Sequence, residues 1–262
     1  MAFAGLDVGT SGVKLLVYDL DGAILFTASR KYEELGSGGR RELNPETVMK
    51  NVKEVLREAG ENCPEKIEAM AVTSLGESVV CLDKEGRVLA NSMLTGDPRG
   101  IEEIKEIIET MGDQKIFEIT GLPPNELYGL PKYMWLNRNT DAVKRAEAIL
   151  FYEDFVGYML TGQRKVSYSS AARSMAFDMR KMEWALPLKL KREAEGLKAT
   201  WLCARRERLI LPETAKELHL SPDMMLVAGG HDQSCAALGS GLNRIEAGEC
   251  GMGTCEFLLT ML

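Results

Sequence analysis

The sequence predicts an α/β fold with a mixed central sheet and flanking helices. Three observations carry that expectation. The first 28 residues hold three short apolar runs separated by turn residues, as in a β-meander. An apolar stripe at helical spacing follows, made of Val48, Val52, Val55, Leu56 and Ala59. Beyond it, short strand-like runs alternate with helical patterns. A chain of 262 residues can bury a substantial core, as one large or two small domains.

In the meander, Phe3–Val8 and Val13–Tyr18 are joined by Gly9-Thr10-Ser11-Gly12, and Ala23–Ala28 follows Asp19-Leu20-Asp21-Gly22. Asp7 stands inside an otherwise apolar strand. A carboxylate there is costly unless paired, hydrogen-bonded or near a metal, so a cation is expected to face it. The adjacent turn can expose consecutive backbone N–H groups if its glycines take positive φ, and Thr10 and Ser11 add hydroxyl donors; such a concavity binds phosphate. An ordinary hairpin loop beside an incidental acid has the same sequence signature. After the loop Gly36 to Arg41, Asn44-Pro45 supplies a capping side chain and a proline at the first helical position. A helix is expected from there to Gly60, its stripe covering the meander.

Ile67–Thr73 and Ser78–Leu82 read as a strand pair around Ser74-Leu75-Gly76-Glu77, and Asp83 to Gly86 turns into a further strand, Arg87–Leu94. Thr95 to Gly100 is a loop bearing Asp97 and Arg99, ahead of a helix striped by Ile101, Ile104, Ile107, Ile108 and Met111. Acid-rich loops at strand ends suit polyhydroxylated ligands, because one carboxylate accepts from two adjacent hydroxyls. The alternative for Asp97 is a salt bridge with Arg99 that caps the helix. Ile119 to Pro123 is a turn, Pro131 to Leu136 opens a helix, Ile149–Phe151 is a short strand, and Asp154–Leu160 is a helix stopped by Thr161-Gly162. Met224–Ala228 is a strand running into Gly229-Gly230-His231-Asp232-Gln233, with a helix beginning at Ser234. Glycines at that strand end allow close approach of a ligand, and the helix N-terminus favours negative charge. Asp232 is placed to act there, whereas His231 reads as support for the turn.

Composition narrows the partners. The net charge of −7 argues against a general affinity for nucleic acid or anionic membrane and leaves small molecules. Met1-Ala2-Phe3 leads straight into a strand, with no signal peptide, and no apolar run approaches the ~20 residues that span a bilayer. The expected location is the cytoplasm. Six cysteines without a CxxC pair, and only two histidines, argue against zinc and for idle thiols in a reducing compartment.

Asp7, the Gly9-Thr10-Ser11-Gly12 turn and Lys14 together resemble the first phosphate motif of the actin, hexokinase and Hsp70 ATPase superfamily. That likeness implies a ribonuclease-H-like (actin-like ATPase) domain, whose opening order is three strands, a helix, then more strands. It also implies Asp7 as the residue serving Mg²⁺, with Gly9, Thr10, Ser11 and Lys14 approaching the phosphates of ATP. ITGLPP (119–124), LPKYMWL (130–136), YEDFVGYMLTG (152–162) and SSAARSMAFD (169–178), in this order and spacing, resemble the FGGY carbohydrate kinases, which include xylulose, glycerol, gluconate and ribulose kinases. GGHDQ (229–233) matches that family's motif residue for residue. The match implies that Asp232 is the general base taking a proton from the sugar hydroxyl that attacks the γ-phosphate, with Gln233 beside it in the acceptor site. Where glycerol kinases place an Arg-Glu pair and xylulose kinases a Met-His pair, the aligned residues are Glu77-Ser78, and Thr95 replaces a frequent tryptophan. A different sugar or polyol is implied, contacted by Glu77, Ser78 and, second, Asp97.

Cys250 to Glu256 resembles the family's second phosphate loop, with Gly253 and Thr254 as its phosphate contacts. The implied organisation is a sugar-binding domain over 1–247 and, at 248–262, the start of a nucleotide-binding domain that is otherwise absent, since members are about twice this long. Phe257–Leu262 would then be a strand without its sheet, inviting self-association as in a homodimer. The basic segment 185–210 departs from the family pattern; a divergent loop, an insertion or a stretch in the wrong reading frame would each produce it, and Cys203 and Arg205 to Arg208 receive no function. The implied activity is ATP- and Mg²⁺-dependent phosphorylation of a sugar or polyol hydroxyl, of which this chain holds the sugar-binding half. The other reading is a non-catalytic binding or assembly domain derived from such a kinase. A phosphohydrolase using Asp7 as nucleophile fits less well, because no second Asp lies two residues on to act as acid.

Overall fold

The computed structural model of the chain describes residues 1–185, 208–242, 248–252 and 256–260. The segment 186–207, Gly253 and Thr254 lie outside the described residues, and so do Cys203, Arg205 and Arg206. The meander forms as expected: β1 (Ala2–Val8), β2 (Gly12–Tyr18) and β3 (Ile24–Lys31) pair antiparallel in sequence order. After the two-residue β4 (Glu42–Leu43) comes α1 (Pro45–Asn62). Its start is set locally, since Asn44 Oδ1 accepts the Thr47 N–H at 3.0 Å and Pro45 occupies the first turn. Val48, Val52, Val55, Leu56 and Ala59 are wholly buried against β2 and β3; the larger of these side chains contribute about 2 kcal/mol each by burial.

β5 (Ile67–Ser74) then lies parallel to β1 on the side away from β2, with α1 as the crossover. The main sheet is completed far along the chain by β12 (Met225–His231), parallel to β5, and the short β11 (Arg208–Leu209), antiparallel to β12. The order is β11-β12-β5-β1-β2-β3: an antiparallel trio, β1-β2-β3, and a parallel trio, β12-β5-β1, share β1, with β11 antiparallel at the outer edge.

Between β5 and β12 the chain builds a second layer. β6 (Val79–Leu82) does not pair with β5, which corrects the expected strand pair. Its four residues are all buried, and they find an equally buried partner in β8 (Ala148–Phe151). The expected strand over 87–94 is reduced to β7 (Ser92–Met93), paired with β4, and a single bridge from Val88 to Leu82. Five helices surround this layer: α2 (Ile101–Met111), α3 (Asp113–Thr120), α4 (Gly129–Asn139), α5 (Ala142–Arg145) and α6 (Tyr152–Thr161). α3 was not expected; Ile119 and Thr120 close it, and the turn begins at Gly121. α7 (Tyr168–Ala172) and the small hairpin β9 (Phe177–Asp178) with β10 (Glu183–Trp184) precede α8 (Pro212–Glu217). α9 (Asp232–Gly239) follows β12 directly. β13 (Gly248–Met252) and β14 (Glu256–Thr260) pair antiparallel, so the strand expected to be alone has a partner along one edge. No helix among the described residues is long and apolar enough to cross a membrane, and Cys63, Cys81 and Cys235 are free thiols.

Candidate active site

Three parallel strands end at the same level, and that edge gathers the chemistry. Asp7 on β1 is in register with Thr73 on β5, and Thr73 with Gly230 on β12, so the β12–α9 junction lies beside the β1–β2 turn. In open α/β sheets ligands bind beyond the carboxyl ends of the strands. Gly229 makes the junction possible, because a Cβ there would lie 1.7 Å from the Val72 carbonyl oxygen. Gly229 therefore admits the neighbouring strand and Gly230 the Ser169 side chain, whose Oγ a Cβ would meet at 2.9 Å, where the sequence suggested that they admit a ligand.

On the β1–β2 side, Asp7 is half-buried and its Oδ1 has no hydrogen-bond partner. Burial raises its pKa, the nearby Asp232 raises it further, and Lys14, opposite on β2, works against both. An orphaned oxygen in a carboxylate held near a second carboxylate fits a divalent cation. Among the described residues no group of three His, Cys, Asp or Glu side chains could hold a metal ion by itself; Mg²⁺ keeps several waters and takes one or two carboxylates plus phosphate. The turn is closed by the Gly9 N–H donating to the Gly12 carbonyl at 3.0 Å. Neither glycine has positive φ, so the expected reason for them is corrected: Gly12 is required because a Cβ would meet the Arg30 carbonyl oxygen at 2.6 Å, where β3 packs. The Tyr32 hydroxyl donates to the carbonyls of Gly9 and Gly12, the latter at 3.1 Å, and braces the turn from behind.

On the other side, Glu77 is the centre of an ion network. Arg173 Nε donates to its Oε1 at 2.8 Å and Arg173 Nη2 to the same oxygen. The buried Lys132 ammonium lies 3.5 Å from the Glu77 carbonyl oxygen, and Thr95 Oγ1 is 3.3 Å from Oε2. Burial by itself would raise the Glu77 pKa, but Arg173, His231 and Lys132 outweigh it and hold the carboxyl below its usual range. Burial pulls the Lys132 pKa down to about 8 against the attraction of Glu77 and Asp97. His231 joins the two halves: its Nε2 is 3.6 Å from Glu77 Oε1 and 3.3 Å from Asp232 Oδ1. Burial lowers its pKa despite both acids. The ring lies against Gly76, where a Cβ would be 2.1 Å from Cδ2, and the His231 backbone N–H donates to Ser169 Oγ at 2.9 Å. Asp232 keeps a third of its side chain exposed, and its Oδ1 accepts the Gln233 N–H at 2.7 Å.

The structure therefore brings together Asp7, Lys14, the Gly9 to Gly12 turn, Glu77, Asp232 and Gln233. Two expected contacts are engaged elsewhere. Ser78 is completely buried, its hydroxyl donating to the Met93 carbonyl at 2.7 Å, which removes it from the cleft. Asp97 makes the alternative salt bridge without capping α2, whose start at Gly100 has no side-chain cap: its oxygens accept from Arg99 Nε at 2.8 Å, Arg99 Nη2 at 2.6 Å and the Arg41 N–H at 2.8 Å, while Arg99 also pairs with Glu42. Those hydrogen bonds lower its pKa against burial. Arg173, Lys132 and Tyr32 were missed. The available signal was a basic residue inside an apolar run, as in LPKYMWL and AARSMAF.

The sequence model of the FGGY family of carbohydrate kinases, N-terminal domain, matches residues 2–239. Relatives include a xylulose kinase of Lactococcus lactis, 29% identical over 261 residues that cover 95% of this chain and 51% of that protein. A glycerol kinase of Thermococcus gammatolerans is 29% identical over 188 residues, 68% of this chain and 38% of that protein. The crystal structure of ligand-bound xylulose kinase from Lactobacillus acidophilus superimposes with a TM-score of 0.90 at 21% identity, over 98% of this chain and 53% of that one. The chain spans about half the length of the curated relatives it matches.

Proposed function

Because this chain belongs to the FGGY family of carbohydrate kinases, we propose that it is the acceptor-binding half of an ATP-dependent kinase acting on a sugar or polyol hydroxyl. The observation that carries the reading is the juxtaposition of Asp7, with its orphaned oxygen, and the partly exposed Asp232 at one sheet edge. Asp232 is the base. Its Oδ1 is held by the Gln233 N–H and faces His231, which leaves Oδ2 to take the proton of the acceptor hydroxyl. Glu77, His231 and Ser169 fix the base rather than react. Asp7 would hold Mg²⁺, which supplies charge neutralisation to the transferring phosphoryl group. The braced Gly9 to Gly12 turn, with Thr10, Ser11 and Lys14, faces the phosphates of ATP, and Gly253 and Thr254 belong to the same proposal as the second phosphate loop. The adenosine pocket belongs to the family's second, nucleotide-binding domain, and turnover requires it. The reading also implies a cytoplasmic protein.

Thermal unfolding of the chain against pentuloses, polyols and aldonates, with and without Mg²⁺-ATP, tests it. A bound acceptor at ten times its dissociation constant adds about 1.4 kcal/mol, or roughly 3–5 °C for a chain of this size. Stabilisation by one acceptor class is expected. Stabilisation by none would favour the assembly-domain reading.

A further inference from the structure

The distribution of charge around Glu77 bears on which acceptor this half takes. Glu77 itself is poorly placed to touch a ligand, with only 7% of its side chain exposed, whereas its partner Arg173 is 23% exposed. The guanidinium is fixed on three sides. Nε and Nη2 both point to Glu77 Oε1. One face lies over the Tyr128 ring, 5.0 Å from its centroid. The backbone on either side is tied to α4, through Gly129 N–H to the Arg173 carbonyl at 3.3 Å and Leu130 N–H to the Ser174 carbonyl at 2.8 Å. Nη1 makes no hydrogen bond among the described residues, so the one edge left for a ligand carries two N–H donors. A guanidinium held this rigidly loses little further freedom on binding.

We propose that Arg173 is the specificity-determining residue of this half: clamped by Glu77 and joined to Asp232 through His231, it donates hydrogen bonds to an uncharged polyhydroxylated acceptor and selects it over one bearing a carboxylate. The proposal rests on the carbohydrate-kinase reading above and names its substrate class. The selection follows from the charges that face the spot. Glu77 cancels the positive charge of Arg173 at contact. Lys132, the other cation of the network, is completely buried beneath Glu77 and reaches no ligand. Burial disfavours a charge on His231. Among the described residues the other charged groups at that edge are the carboxylates of Asp232 and Asp7, with Lys14 opposite Asp7. An incoming carboxylate thus meets hydrogen-bond donors without net positive charge and two acids beyond them, whereas a hydroxyl loses nothing by the same arrangement.

The experiment is calorimetric titration of the chain with glycerol and D-xylulose as neutral probes and D-gluconate as the anionic one. The wild type is expected to bind a neutral probe at least tenfold more tightly than gluconate. Glu77→Gln uncovers the charge of Arg173 and should shift the ratio towards gluconate by at least tenfold. Glu77→Gln risks misfolding through an uncompensated buried guanidinium, so the pair variant Glu77→Gln/Arg173→Met, which leaves no ion of this pair unmatched, is the control. Folded by its thermal transition, it should weaken the neutral probe at least tenfold and leave gluconate within threefold. An unchanged ratio in the folded pair variant, or an equal loss for all three probes, would overturn the assignment of Arg173 while leaving the sugar-binding reading intact. A wild-type chain that binds none of the three would overturn both.

Discussion

The two sides of the candidate cleft solve opposite problems. On the Asp7 side the backbone is over-determined, by the Tyr32 hydroxyl and the close approach of β3 at Gly12, yet the Asp7 carboxylate is left with a buried oxygen that has no hydrogen-bond partner among the described residues. On the Glu77 side every charge is matched: Glu77 with Arg173 and Lys132, Asp97 with Arg99, Arg99 with Glu42. Unmatched charge marks where a ligand must supply the counter-charge, and matched charge marks where the pocket is preorganised to read shape and hydrogen bonding. Asp232 belongs to both sides, being near enough to raise the Asp7 pKa and in contact with His231.

That shared position makes Asp232 the strongest test of the division. In the kinase completed by its nucleotide-binding half, Asp232→Asn should lower turnover by about 10²–10⁴-fold, the range for loss of a general base. The acceptor dissociation constant should stay within about threefold, because Arg173 and Glu77 are untouched. Steady-state kinetics with direct binding separates the two; retained turnover would remove Asp232 from the role of base.

The next test is the opposite response of the two sides to losing a carboxylate. Glu77→Ala strands Arg173 and Lys132 in a buried setting and should cost about 3–5 kcal/mol. Asp7→Asn removes an ion that burial disfavours and should stabilise the chain by about 1 kcal/mol near pH 7. The pH dependence differs in the same sense. Glu77 has a depressed folded pKa, so its contribution is present above the unfolded carboxylate value and is lost as pH falls through the folded one. Asp7 has a raised folded pKa, so its ionisation opposes folding at neutral pH, and that cost disappears as pH falls towards the unfolded value. Thermal melts from pH 7 to 3 should show the Asp7→Asn advantage shrinking with acidification. An advantage that grows instead would mean that Asp7 has a partner in the folded chain.

What the sequence disclosed follows the same line. Asp7 and Asp232 were legible because a carboxylate in an apolar strand, or after a glycine pair at a strand end, is anomalous within its own few residues. The meander, α1, α2 and α6 were legible because their apolar periodicity and caps are local. The partner of Glu77 lies 96 residues further on, and the partner strand of β6 enters only after four helices. No local signal pairs such residues; each must hide a charge or an edge, and only the packed chain decides against what. Ser78 was misplaced and Asp97 stayed open between ligand and Arg99 for that reason, since a polar residue near a strand end looks the same whether it faces the cleft or a partner behind it.

The smallest effect concerns the brace on the Asp7 side. Tyr32→Phe keeps the ring, which is buried, and deletes only the hydroxyl that donates to the Gly9 and Gly12 carbonyls. The loss should be about 1 kcal/mol, the net worth of such hydrogen bonds, or roughly 2–4 °C in melting temperature. If the hydroxyl fixes the turn that faces phosphate, amide exchange should quicken at Thr10 and Ser11 while the amides around Glu77 and Arg173 keep their protection. Equal quickening on both sides would mean that the two halves of the cleft are one cooperative unit, and the contrast between a poised side and a satisfied side would then describe charge alone, not mechanics.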